Sequence, residues 1–172
     1  MLPGDGLPHP RRDGGIWSPP IKLLDGIWFG IGDQWIGPAT EFTSGYGHAK
    51  MKLPGQGGLS VSRTDFVPDG NRAVLVGLTF EAGAADQNFT LKMDAHSELM
   101  GAYPWGETNP SQTAFNLEDT VAAEDDNLIF REQGTPPAEN ALSHDWAAVV
   151  GSTSPRRVAR PGITSAVRKT RR

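Results

Sequence analysis

The sequence contains no cysteine, which excludes disulfide bonds, thiolate metal sites and a cysteine nucleophile. It also has no run approaching the ~18 to 20 apolar residues that a membrane-spanning helix needs. The first 15 residues, MLPGDGLPHPRRDGG, lack an apolar core like that of a secretory signal peptide. The last two absences predict a cytoplasmic protein that does not associate with a membrane.

Basic residues are scarce outside the C-terminal end of the chain. Nine basic and 20 acidic residues precede Pro155, a net charge of −11, whereas seven basic residues and no acidic residue follow it. Binding to the phosphates of a nucleic acid needs clustered Lys and Arg. We therefore expect no specific nucleic-acid partner for the acidic body of the chain.

Helical periodicity is also missing, because no 15-residue window repeats apolar residues with a period of 3.6. The 21 glycines and 14 prolines lie between short apolar stretches, and turn signals every ~8 to 12 residues are typical of an antiparallel sandwich. The sequence predicts an all-β fold, an antiparallel β-sandwich resembling the super-sandwich type. Residues 1–20 are predicted to be a disordered leader, 21–151 the sandwich domain and 152–172 a disordered basic tail.

Several local patterns predict individual strands. Turns at Gly32-Asp33-Gln34 and Pro68-Asp69-Gly70-Asn71 follow IKLLDGIWFGI and LSVSRTDFV, and each predicts a hairpin. Further strands are predicted at TAFNLED and DNLIFRE, with HDWAAVVGS as a last strand or a short helix. The stretch NFTLKMDAHSELM alternates apolar and polar residues, so Phe89, Leu91 and Met93 are predicted to face the core.

The opposite face of that stretch carries Asp94, His96 and Glu98, which are predicted to face solvent. Same-face neighbours on a strand are ~6.6 Å apart, so this row can supply two metal ligands but not the third that zinc needs. Asp94 and Glu98 are ~13 Å apart, farther than the roughly 5 to 9.5 Å between the carboxylates of a glycosidase. We expect a solvated strand face here, with no metal, no cofactor and no catalytic residue. A small hydrolase that uses Asp94, His96 or Glu98 is the enzymatic alternative.

Aromatic residues are better candidates for a binding surface. Tyr and Trp have a flat apolar face and a polar edge, suited to stacking under a sugar ring or to closing a domain interface. Trp28 and Trp146 are expected to pack in the core, whereas a Pro/Gly turn at residues 103–106 favours exposure of its two aromatic side chains. The candidates for carbohydrate or domain-interface contact are Tyr103, Trp105, Trp35, His96 and Glu98.

The series IKLLDGIWFGI, GPATEFTSGYGHAKMKLPG, RTDFVPDGNRAVLVGLTF, LKMDAHSELMGAYPWG and HDWAAVVGS resembles the N-terminal sandwich domain of bacterial glycogen-debranching and glucoamylase-like glycoside hydrolases. The resemblance covers about residues 21–151. In that family the sandwich precedes a barrel of paired helices that holds the catalytic carboxylates, and this sequence has no such barrel. The basic Pro/Arg tail departs from the family pattern and is what a truncated or frame-shifted gene would produce.

The resemblance implies a non-catalytic module of an α-glucan-processing glycoside hydrolase, without activity in this chain alone. Its expected partners are the missing catalytic helical barrel and, at the turn 103–106, the α-glucan itself. No catalytic residue of the family can be assigned, because the family's motifs lie beyond this sequence. A free-standing carbohydrate-binding sandwich, in which Tyr103 and Trp105 stack on a sugar, is the alternative.

Overall fold

The computed structural model describes residues 15–101, 116–137 and 139–153, and these residues form strands and connecting turns without any helix. The strands are β1 (Ile16–Ser18), β2 (Ile21–Ile31), β3 (Gln34–Trp35), β4 (Glu41–Gly45), β5 (His48–Gln56), β6 (Leu59–Phe66), β7 (Leu75–Ala82), β8 (Leu91–Gly101), β9 (Thr120–Glu124), β10 (Asn127–Gly134) and β11 (His144–Val150). β1 lies inside the stretch that the sequence predicted as a leader.

The strands of the described residues form three sheets. One has the order β1-β2-β3 with β8 also paired to β2, the second β11-β10-β9, and the third β4-β5-β6-β7. Within each sheet, strands that follow one another in sequence pair antiparallel: β1 with β2, β2 with β3, β4 with β5, β5 with β6, β6 with β7, β9 with β10 and β10 with β11. The predicted all-β fold class is confirmed, and several antiparallel sheets agree with a sandwich-like fold.

Residue contacts divide the chain into two compact units. The first unit contains described residues 28–94, and the second contains the described residues on either side of that range. The β4–β7 sheet belongs to the first unit and the β9–β11 sheet to the second. β2 is divided after Ile27 and β8 after Asp94, so each of these strands has residues in both units.

In the first unit, the core forms where one face of the β4–β7 sheet is covered. Ile31, Leu59 and Val61 are buried together, and partly buried apolar side chains surround them: Ile36, Leu53 and Phe80. Leu59 and Val61 are two residues apart on β6, so the strand alternation itself places both on the covered face. The other face of the same sheet is open, and most of its side chains are polar.

In the second unit, the β9–β11 sheet buries one face. Phe130 on β10 and Ala148 and Val150 on β11 are buried, and antiparallel pairing places Phe130 directly opposite Ala148. Asp125 and Asp126 connect β9 to β10 with φ values of 47° and 61°. Two successive left-handed residues are the mark of a type I′ hairpin turn, which Asp tolerates well.

Both predicted hairpins are confirmed, because β2 pairs with β3 around Gly32-Asp33 and β6 pairs with β7 around the turn at 68–71. The strand predicted at TAFNLED is wrong over residues 116–119, since the strand begins at Thr120. The reason is that side-chain carboxylates, not a neighbouring strand, hold the backbone there. Leu117 N donates to Glu132, and Asp119 accepts from Leu99 N.

The prediction that Phe89 and Leu91 face the core is also wrong, because they are 39% and 43% exposed. The buried positions of β8 come later, at Ala95, Leu99 and Met100. Ala95 and Leu99 have the predicted phase, whereas Met100 is one residue out of phase. Phe89 lies before the strand begins and rests against Phe80, with ring centroids 4.8 Å apart. The sequence determines on which side of the strand each side chain lies. How deeply the side chain is buried depends on which strands cover each end of β8.

Candidate functional site

The open face of the β4–β7 sheet in the first unit carries a polar trough with a volume of about 370 Å³. Its side chains come from four strands and are hydroxyl-bearing or charged. Met51 and Val61 also border the trough, although strand alternation places their side chains on the covered face of the sheet. The polar residues that define the trough are Glu41, Thr43, Lys50, Lys52, Ser60, Ser62, Thr79 and Glu81.

Strand pairing explains why these side chains converge. Residues directly opposite one another in antiparallel strands share a face, and Glu41, Lys52, Ser62 and Thr79 form one such row across β4 to β7. Lys52 Nζ donates to Glu41 Oε1 at 3.0 Å. Both partners are well exposed, so this ion pair arranges the trough and contributes little to stability.

The next row along the sheet contains Lys50 between Thr43 and Thr64. Lys50 is exposed, and its ammonium group extends from the sheet with a threonine on either side. In β7 the same row ends at Gly77, where a side chain would meet only the Thr64 carbonyl oxygen, 3.7 Å from an added Cβ. The trough therefore stays open toward this end.

An apolar end adjoins the trough one row farther on, and we define it as Tyr46, Phe66 and Leu75. His48 lies opposite Phe66, which lies opposite Leu75, so their side chains continue the face that carries Lys50 and Thr64. Tyr46 is fully exposed in the two-residue turn before His48, and His48 Nδ1 is 3.2 Å from the Tyr46 carbonyl oxygen. The open face thus combines hydrogen-bonding groups with the exposed side chains of Phe66 and Leu75 in the next row, ~6.6 Å farther along the strands, and the exposed Tyr46 lies in the adjoining turn.

No family model, curated protein or solved structure matches this chain. Within residues 15–101, 116–137 and 139–153, no group of three or more His, Asp or Glu side chains is placed to hold a metal ion. The same residues include no helix of the length and apolar character needed to cross a membrane.

The candidate residues predicted from the sequence lie in different environments in the structure. Tyr103 and Trp105 lie outside the described residues. Trp35 is half-buried on β3, and its ring lies beside Gly30, where an added Cβ would be 3.1 Å from Trp35 Cε3. His96 and Glu98 are half-buried on β8, so the solvated strand face predicted for them is wrong.

Glu98 belongs to an ion cluster around the buried Lys22, which the sequence did not predict. Lys22 on β2 is 0% exposed, and its ammonium group donates to Glu98 and, at 2.7 Å, to Asp25. The ammonium group also lies 5.6 Å from the centre of the Trp17 ring. Burial raises the pKa of Glu98, and although Lys22 opposes this, the pKa stays above its usual range.

A second buried network joins β10 to β11. Glu132 is 0% exposed, with Oε1 2.6 Å from His144 Nε2 and Oε2 accepting a hydrogen bond from Leu117 N at 3.0 Å. The His144 ring stacks on Trp146 with centroids 3.7 Å apart. Burial raises the pKa of Glu132, and the charge of Asp119 adds to the increase.

Replacing Glu132 with glutamine should flatten the pH dependence of stability. The pKa of Glu132 is higher in the folded state, so its stabilising effect is complete below its ordinary value near 4.5 and is lost as the pH rises through the folded value. The glutamine amide can still accept from Leu117 N and donate to His144 but carries no charge. We expect the free energy of unfolding of the wild type to fall more than that of Glu132→Gln between pH 4 and 7.

Urea denaturation at a series of pH values measures this difference. Glu124→Gln, an exposed change at the end of β9, is the matched control and should follow the wild type. Equal slopes for the wild type and Glu132→Gln would mean that the buried carboxyl group does not contribute to the pH dependence.

Proposed function

We propose that this chain is a non-catalytic β-sandwich module of an α-glucan-processing protein, and that the polar trough with its apolar end binds the glucan chain. The observation that carries the proposal is the combination on one open sheet face of hydroxyl and charged side chains with exposed aromatic surface. The family resemblance described for residues 21–151 supports the choice of α-glucan.

A sugar ring needs both kinds of surface. Its hydroxyl groups require donors and acceptors, which Lys50, Ser62 and Thr79 supply, while its C–H faces stack on aromatic rings such as Tyr46 and Phe66. The trough volume falls within the ~300 to 1,000 Å³ that ligand sites commonly have. An extended chain of sugars lying along the strand direction would contact both parts at once, because the apolar end follows the rows of the trough along the strands.

Binding to glycogen tests the proposal. Electrophoresis of the wild type in gels with and without glycogen should show retardation by the polysaccharide. Tyr46→Ala and Lys50→Ala should each weaken binding roughly tenfold, about 1.4 kcal/mol. Phe42→Ala is the control, because Phe42 is an exposed aromatic residue of β4 whose side chain lies on the opposite face.

Maltooligosaccharides of increasing length extend the test. If the rows of the trough each hold part of a glucan chain, affinity should rise with length until the sheet face is filled. A wild type that migrates equally in both gels, or a loss in Phe42→Ala as large as that in Tyr46→Ala, would contradict glucan binding at this face.

A second candidate is packing against a catalytic helical-barrel domain, and the exposure of the apolar end favours it. Contiguous exposed apolar groups on a small domain commonly mark a protein interface, and Tyr46, Phe66 and Leu75 are all exposed. This function predicts no retardation by glycogen. It also predicts that Tyr46→Ala reduces self-association of the isolated chain, as measured by sedimentation velocity.

A further inference from the structure

One ammonium group on the open face of the β4–β7 sheet has no partner among the described residues. Of the two lysines in the trough, Lys52 donates to Glu41 at 3.0 Å. Lys50 is exposed and makes no hydrogen bond or ion pair with any residue that the structure describes. It projects from β5, which has a paired strand on each side. Its charge is thus presented to any ligand that lies in the trough.

The other carboxylates in the strands of this sheet do not neutralise Lys50. Asp65 projects from the opposite face, where Arg63 donates two hydrogen bonds to it at 2.7 and 2.8 Å. Glu81 lies two rows farther along the strands, ~13 Å from the row of Lys50 and beyond the Debye length of ~8 Å at physiological ionic strength. One positive charge therefore remains at this end of the trough.

Two threonine hydroxyl groups flank Lys50. Thr43 and Thr64 lie directly opposite it on β4 and β6, and side chains in that relation have Cβ atoms ~4.5 to 5.5 Å apart. The hydroxyl groups of Thr40 and Thr120 donate to backbone carbonyl oxygens, whereas neither flanking hydroxyl has a partner among the described residues. One row thus offers an ammonium group and two hydroxyl groups to a ligand.

On the basis of the proposed glucan binding, we infer that the row of Thr43, Lys50 and Thr64 binds a phosphate monoester carried by the glucan, so that the preferred ligand is a phosphorylated α-glucan. A phosphate monoester has a charge of about −1.5 to −2 at pH 7 and three acceptor oxygen atoms, which match one ammonium and two hydroxyl groups. Lysine binds phosphate as a point charge, whereas the bidentate recognition of a carboxylate favours arginine. A carboxylate on the sugar is therefore the poorer match.

Gel electrophoresis with two forms of one polysaccharide tests the phosphate site. The first is amylopectin that carries phosphate monoesters, and the second is the same material after a phosphatase has removed them. The full chain should be retarded by both, with about fivefold higher affinity for the phosphorylated form, near the upper limit for one exposed charge pair. Higher ionic strength should reduce this preference, because salt screens exposed charges.

Variants of Lys50 separate its charge from its hydrogen bonds. Lys50→Gln keeps hydrogen-bonding groups without the charge and should bind the two forms about equally, whereas Lys50→Arg keeps the charge and should retain the preference. Arg131→Gln is the matched control, because it removes the same charge from an exposed position beside a threonine, on β10 of the second unit. This variant should retain the preference of the wild type.

Glu41→Gln should increase the preference for the phosphorylated form. The substitution releases Lys52 from its ion pair, which adds a second unpaired ammonium group ~6.6 Å from that of Lys50 along the strand. Equal affinity of the wild type for the two forms, or a preference that persists in Lys50→Gln, would overturn the phosphate site and leave glucan binding intact. Failure to bind either form would contradict glucan binding and the phosphate site together.

Discussion

Truncating Leu99 to alanine should lower the free energy of unfolding of the second unit by about 3 kcal/mol, within the ~2 to 5 kcal/mol range for a buried leucine. Leu99 is 0% exposed and sits in β8, flanked by the buried Met100. Removing its isobutyl group loses the transfer free energy of the buried methyl groups. It also leaves a space between strands that cannot collapse without disturbing the hydrogen bond from Leu99 N to Asp119.

Urea denaturation gives the change in global stability, and hydrogen exchange of peptides from β10 and β11 shows whether the loss lies in the second unit. Leu142→Ala supplies the same chemical change at an 85% exposed position in the loop before β11 and should alter stability by less than about 0.5 kcal/mol. Similar losses for the two variants would show that Leu99 does not lie in a close-packed core.

Much of the first unit can be predicted from local sequence alone. Residues that favour turns indicate the turn at 68–71, and alternating apolar and polar residues indicate which side chains of β5 and β6 share a face. The hairpins and the polar face of the sheet could therefore be predicted. Parity also places Lys50 and Lys52 on the face opposite Met51. Alternation does not show that four strands pair side by side, and it is this pairing that brings the polar side chains together in one trough.

Tyr46 is a single residue for which local sequence predicts exposure but not the surrounding residues. Its position in a two-residue turn between alternating segments is a signal of exposure, yet only the pairing of β5 with β6 shows that this turn precedes the row that contains Phe66. The sequence analysis favoured the aromatic residues of the turn at 103–106 because Pro and Gly surround them. Local composition can indicate that an aromatic ring is exposed, but which residues surround that ring depends on how the strands pair.

The buried charges were not predictable because their partners are far away along the chain. Lys22 lies 76 residues from Glu98, and Glu132 meets Leu117 through a backbone group that has no sequence signature. The alternation of apolar and polar residues along a strand predicts that each polar residue lies on the solvent-exposed face. A lysine or glutamate that is buried because it finds an opposite charge or a backbone donor is an exception to that assignment. For Lys22 the exception occurs on β2, which pairs with β8, and for Glu132 it occurs on β10, where the donor is Leu117 N.

Replacing Lys22 with methionine should destabilise the second unit by about 2 kcal/mol. Burial lowers the pKa of Lys22, but hydrogen bonds to Asp25 and Glu98 and their negative charges outweigh this effect and raise it. Removing the ammonium group leaves two carboxylates close together without a cation. The expected loss is smaller than the ~3 to 5 kcal/mol for a fully buried pair, because Asp25 and Glu98 are 27% and 36% exposed and regain some water.

A double variant separates charge from packing. Lys22→Met with Glu98→Gln removes both charges of the pair, so the second substitution should restore part of the stability that the first removes, as a double-mutant cycle in urea measures. Lys92→Met is the control, since Lys92 pairs with the fully exposed Asp33 at 3.0 Å and such surface pairs contribute ~0 to 1 kcal/mol. If Glu98→Gln makes Lys22→Met still less stable, the ammonium group acts through its packed methylene groups and not through its charge.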